Sequence, residues 1–112
     1  MIRLRAPWQR VQIGEGQIWR RRFGQPTGLE AGDRLVLVVE GLAAAAEVSL
    51  NGRWLGNAGP AAGWRQFDVP GLLVARNELT LRTSEVIEPR GEGGPPCGVW
   101  LRIDSADRSA EA

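Results

Sequence analysis

The side chains in this 112-residue chain most able to do chemistry are its acids. Two carboxylates about 5–5.5 Å apart serve a retaining glycosidase, and a wider pair serves an inverting one. No such pair is recognisable here. Glu85, Glu88 and Glu92 fall in or before a Gly/Pro-rich stretch and read as solvated. Histidine and tyrosine are absent and Cys97 is the one thiol, which excludes Ser-His and Cys-His nucleophiles and the usual Cys/His zinc sites. No Asp-rich spacing of the kind that binds calcium is present either, so no metal and no cofactor is predicted. Cys97 lies in Pro95-Pro96-Cys97-Gly98, with no basic residue nearer in sequence than Arg90 or Arg102, and reads as a packing residue.

Five tryptophans stand against two phenylalanines. Indole faces are surfaces on which sugar rings stack, while planar polar groups hold hydroxyls. Trp19 shares a side with Phe23 and is expected in the core; Trp54 is expected to cover the edge of the fold. Trp64 sits where a loop meets a strand, beside Arg65 and Gln66. A saccharide site is therefore placed on the loops at one end: Asn57, Trp64, Arg65, Glu92 of the Glu88–Gly98 loop, and Trp100. The run Arg20-Arg21-Arg22 resembles a phosphate track, but strand geometry sends Arg20 and Arg22 one way and Arg21 the other. Arg21 is expected to need a carboxylate near the core rim, with Glu40 or Asp68 as candidates.

The elements that must position these groups are strands. In Arg34–Glu40, Leu35, Leu37 and Val39 share one face and Val36, Val38 and Glu40 the other, as in a strand buried on one side and partly covered on the second. Ala46, Val48 and Leu50 alternate with Glu47 and Ser49 up to Asn51-Gly52, a pair suited to a type I′ turn, and Trp54-Leu55 begins the return. Further strands are expected over Gln17–Phe23, Trp64–Val69, Asn77–Thr83 with Leu79 and Leu81 inward, and Val99–Asp104 with Val99, Leu101 and Ile103 inward. The alanines after Gly41 suggest at most one helical turn, and Pro70–Leu73 another short turn. Glu88–Gly98 is a long loop.

Length predicts one domain: a leading segment 1–16, a sandwich 17–104 and a fraying tail 105–112. With 14 basic residues, all arginine, against 13 acidic ones, the net charge of +1 gives no broad positive field, so neither nucleic acid nor membrane is an expected partner. A single cysteine cannot form an intrachain disulfide. No signal-peptide pattern and no apolar run of about 18 residues is present, which makes a cytoplasmic location the default expectation.

Taken in order, IWRRRF, LVLVVEGL, AEVSLNGRWLG, FDVPGLL, NELTLRT and GVWLRI resemble the sugar-binding-type jelly-roll domain at the front of family 2 glycoside hydrolases, the β-galactosidase and β-glucuronidase group. The resemblance covers residues 17–104. It implies an all-β fold, a galactose-binding-domain-like antiparallel β-sandwich, and places Glu40 and Asp68 in structural motifs where they accept hydrogen bonds or an arginine. The family's catalytic glutamates lie in a (β/α)₈ barrel of about 250 residues, which 112 residues cannot hold. The expectation is a non-catalytic carbohydrate-binding or accessory module; next comes a structural interaction or oligomerisation domain; hydrolysis is expected only with a separate catalytic chain. The family domain starts a few dozen residues earlier, so one sheet edge is expected to lie open to a second copy or a hydrolase partner chain.

Overall fold

The computed structural model describes residues 2–27, 32–61, 63–69 and 74–104. Nine strands are assigned among them: β1 (Ile2–Arg3), β2 (Gln9–Ile13), β3 (Gly16–Gly24), β4 (Arg34–Glu40), β5 (Ala46–Leu50), β6 (Arg53–Ala58), β7 (Trp64–Asp68), β8 (Arg76–Thr83) and β9 (Gly98–Asp104). They form a four-stranded sheet, β1-β9-β4-β7, and a five-stranded sheet, β2-β3-β8-β5-β6, with every pairing antiparallel. The all-β sandwich expected from the alternation is what the chain adopts.

Side-chain alternation closes the two layers on each other. Leu35, Leu37, Val39, Phe67, Val99 and Leu101 from one sheet meet Trp19, Ala46, Val48, Leu50, Leu79 and Leu81 from the other in one apolar core. The polar groups drawn in with them are bonded: buried Gln17 accepts from the Trp19 indole (3.2 Å) and from Ile87 N (2.9 Å), and no buried side-chain polar atom among the described residues lacks a partner. Asn51 and Gly52 hold φ of 52° and 81°, the doubly positive pair that a type I′ turn requires. Beyond the turn, Val48 opposes Gly56 and Ser49 opposes Trp54, so Leu55 is the extra residue of a bulge. The bulge turns Leu55 onto the core and lets Gly56 pass under Phe67, where a Cβ would stand 2.8 Å from the ring.

The leading residues are more than a preface. β1 pairs with β9 and β2 with β3, while the segment between them crosses from one sheet to the other. Trp8 is buried in that crossing and donates its indole N–H to Leu4 O at 2.8 Å. The alanine stretch after Gly41 is not helical: Leu42, Ala44 and Ala46 are buried and Ala43, Ala45 and Glu47 exposed, a two-residue period that lays an extended connection over the core. The expected turn at 70–73 and tail at 105–112 lie outside the described residues.

Arg21 is also placed differently from expectation. Its guanidinium donates to the main-chain carbonyls of Arg5 (2.7 Å) and Arg22, not to a carboxylate. Asp68 instead accepts from Arg34 at 2.7 Å, which holds the Arg34 proton more firmly than usual, and Glu40 is exposed and joins no ion pair among the described residues. The crossing segment brings the Arg5 carbonyl to Arg21, and together with the neighbouring Arg22 carbonyl it satisfies the guanidinium without the desolvation of a second charge.

Candidate functional site

The outer face of the four-stranded sheet carries two tryptophans together with polar and charged side chains. Because Leu37, Val39, Leu101 and Phe67 point into the core, the residues between them point out. Register sets three rows across that face: Gly98, Glu40 and Trp64; then Arg3, Trp100, Val38 and Gln66; then Arg102, Val36 and Asp68. Val36 and Val38 are only 3% and 2% exposed although they face away from the core. Cross-strand neighbours on one face stand about 4.5–5.5 Å apart, which sets Val38 beside Trp100 and Gln66 and Val36 beside Arg102 and Asp68.

Trp64 is 51% exposed on the edge strand β7, and Trp100 is half-buried. Two strand spacings and one two-residue step separate them, about 12 Å between Cα atoms. The Arg3 guanidinium lies 5.6 Å from the Trp100 ring centroid. The Cζ3 of that indole and the Arg90 Nη1 both stand over Gly98, at 3.3 and 3.6 Å from where a Cβ would be. Arg90 therefore reaches from the long loop to the Gly98 end of this face, beside Trp100. A groove of about 560 Å³ continues from here, lined by Arg3, Arg5, Arg90 and Glu92 among others.

The five residues of the expected saccharide site do not converge. Trp64 and Trp100 share the outer face, and Glu92 lines the adjoining groove with Arg3. Arg65 turns to the other side of β7, its guanidinium 5.3 Å from the Phe67 ring centroid. Asn57 lies on the opposite sheet, in a row with Glu47 and Arg82, beside a depression of about 630 Å³. Sequence reasoning missed Arg3, Gln66 and Arg90. Gln66 alternates with the inward Phe67 and so was open to inference; Arg3 and Arg90 reach this face through a two-residue strand and a loop that have no periodicity to read.

A depression of about 1040 Å³ lies at the other end of the sandwich, near the Asn51-Gly52 turn. Its polar groups hold the fold: Asn77 binds Val74 N and O at 2.8 Å each, Asn51 bonds Asn77 and Glu78, and Arg22 pairs with Glu78. Cys97 is fully buried, and burial pushes its thiol up to about 12 against an opposing pull from Arg90, so it is no nucleophile. Among the described residues no cluster of three His, Cys, Asp or Glu could hold a metal, and no helix is long and apolar enough to cross a membrane.

No family model matches the chain, and no curated protein matches it. Among solved structures it is similar to a β-glucuronidase of Bifidobacterium dentium complexed with coumarin-3-O-glucuronide, with 33% identity over 66% of this chain and a TM-score of 0.57. A candidate β-galactosidase of Bacteroides fragilis is 25% identical over 80% of the chain, with a TM-score of 0.59. The chain spans 12% and 15% of the length of those two proteins. The matched part is thus a small, domain-sized portion of each glycosidase, of the group that the sequence motifs resemble.

Proposed function

We propose that this chain is a non-catalytic carbohydrate-binding module of a glycoside-hydrolase system, holding a saccharide on the outer face of its four-stranded sheet. The observation that carries the reading is the pair Trp64 and Trp100 on one face, with the Gln66 carboxamide and the Glu40 carboxylate in their rows. Flat indoles offer apolar contact to sugar C–H faces, and planar amide and carboxylate groups bind hydroxyls bidentately. The likeness to glycosidases makes a saccharide the apt ligand class. Titration calorimetry of a glycan panel tests it. Trp64→Ala is expected to weaken saccharide binding at least tenfold, whereas Arg65→Ala and Asn57→Ala, on other surfaces, retain it. Equal affinity in Trp64→Ala, or no affinity for any glycan, refutes the reading.

A docking role has its own support. β2 ends the five-stranded sheet, all five of its residues are exposed, and Val11 and Ile13 are 47% and 46% exposed. An edge of this kind accepts a further strand. A second copy or a hydrolase chain paired there would give a defined assembly in light scattering together with silence towards glycans, the opposite pattern to the leading proposal.

A further inference from the structure

Among the described residues, three arginines gather at one edge of the indole face, each outside any ion pair. Arg3, Arg5 and Arg90 line the same groove and join no ion pair, whereas Arg20, Arg22, Arg34 and Arg102 all do. Glu92 lines the groove too and Glu40 lies in the row of Gly98, so the local balance is three positive groups against two negative ones. Two of the three are placed by their surroundings. Arg3 is held over the Trp100 ring, and Arg90 is seated over Gly98 and Gly41, where the lack of a Cβ makes room for its guanidinium: a Cβ on Gly41 would come within 2.8 Å of Nη2. Both stand beside the same indole. A pre-positioned guanidinium fork binds planar or tetrahedral oxyanions with little further loss of side-chain freedom.

We infer that the saccharide this face takes is an acidic one, its carboxylate or sulfate bound by Arg3 and Arg90 while its rings extend across Trp100 towards Trp64. The inference rests on the saccharide-binding reading above and adds the ligand's charge. A neutral glycan would leave these guanidiniums to water; an anionic one replaces that water with charge-assisted hydrogen bonds next to an apolar ring that lowers the local dielectric.

Calorimetry on the full chain decides between them, with four probes: a neutral galacto-oligosaccharide, an oligogalacturonate, a sulfated oligosaccharide of equal length, and inorganic sulfate. At least one acidic oligosaccharide is expected to bind tenfold or more tightly than the neutral one, and to lose affinity as salt rises from 50 to 300 mM. Which acidic probe binds better distinguishes carboxylate from sulfate. Arg90→Gln and Arg3→Gln should each erase most of that preference, weakening the acidic probe at least tenfold more than the neutral one. Arg3 is exposed, so Arg3→Gln keeps the test valid if Arg90→Gln unfolds the loop. Equal binding of neutral and acidic glycans, or inorganic sulfate binding as tightly as the oligosaccharides, overturns the inference and leaves the saccharide reading intact in the first case. Silence towards every glycan overturns both.

Discussion

Loss of stability in alkali should trace to one atom, the Cys97 sulfur. The sequence has no lysine, tyrosine or histidine, so once the α-amino group has titrated near pH 8, nothing but this thiol changes charge before arginine does, above about pH 12. Cys97 is fully buried, and burial raises its pKa from 9.0 to about 12. The folded chain therefore keeps the proton over a range in which the unfolded chain releases it. Fewer protons bound in the unfolded state means that unfolding free energy falls as pH rises. The stability is complete below pH 9 and is lost progressively between pH 9 and 12, at no more than about 1.4 kcal/mol per pH unit. At pH 11 the loss is about 2.5 kcal/mol, or about 10 °C in Tm at about 4 °C per kcal/mol for a domain of this length. Urea unfolding at half-unit steps from pH 7 to 11 measures it. Cys97→Ala should start less stable, through its small cavity, yet lose little on the way to pH 11. The same slope in Cys97→Ala as in the parent chain would refute the assignment, as would rapid reaction of the native thiol with a disulfide reagent at pH 8.

Two further substitutions probe how the layers are held. Gly56→Ala puts a methyl 2.8 Å from Phe67 Cε1 at a φ of 156°, and overpacking plus backbone strain should cost about 2–5 kcal/mol. In a Phe67→Leu background the steric share should disappear, and a thermal-melt double-mutant cycle without coupling would contradict that. Asn77→Ala strips Val74 N and O and the Asn51 carboxamide of their partner in a buried position and should cost about 2–4 kcal/mol in urea unfolding; a loss under 1 kcal/mol would show that water replaces the side chain.

The strands were legible where burial is one-sided. β5, β8 and β9 each set core-facing apolar residues against a differently composed outer face, and periodicity found them; β4 was found as a run of five apolar residues, Leu35–Val39, buried on both faces. β2 was not found: Gln9–Ile13 is an edge strand exposed on both faces, and its alternation of Val11 and Ile13 with Arg10 and Gln12 is only two apolar residues long. The alanine connection misled for a related reason. Alanine has the highest helix propensity, but five residues cannot repay helix nucleation, and burying Ala44 and Ala46 against the core favours the extended path. Arg21 shows the limit of pairing by composition: its acceptors are main-chain carbonyls, which every residue carries and no sequence pattern marks.

The dispersal of the expected site has two causes, the alternation that sets Trp64 and Arg65 on opposite sides of β7 and the passage of the chain from β6 to β7. Asn57 and Trp64 are seven residues apart, but the connection through Gly59 and Gly63 carries the chain from the five-stranded sheet to the four-stranded one, so their outward faces look in opposite directions. Alternation tells which residues share a face within a strand; it does not tell which strands share a sheet. Once the sheets are known, the same alternation puts Trp64 with Trp100 and sends Arg65 to the far side of β7. What joins the indoles into one surface then comes from outside the periodic elements. Arg3 and Arg90 stand at that face because β1 closes the sheet edge and the 84–97 loop folds back over Gly98. Strands thus supply the platform, and the segments without a period supply its charge.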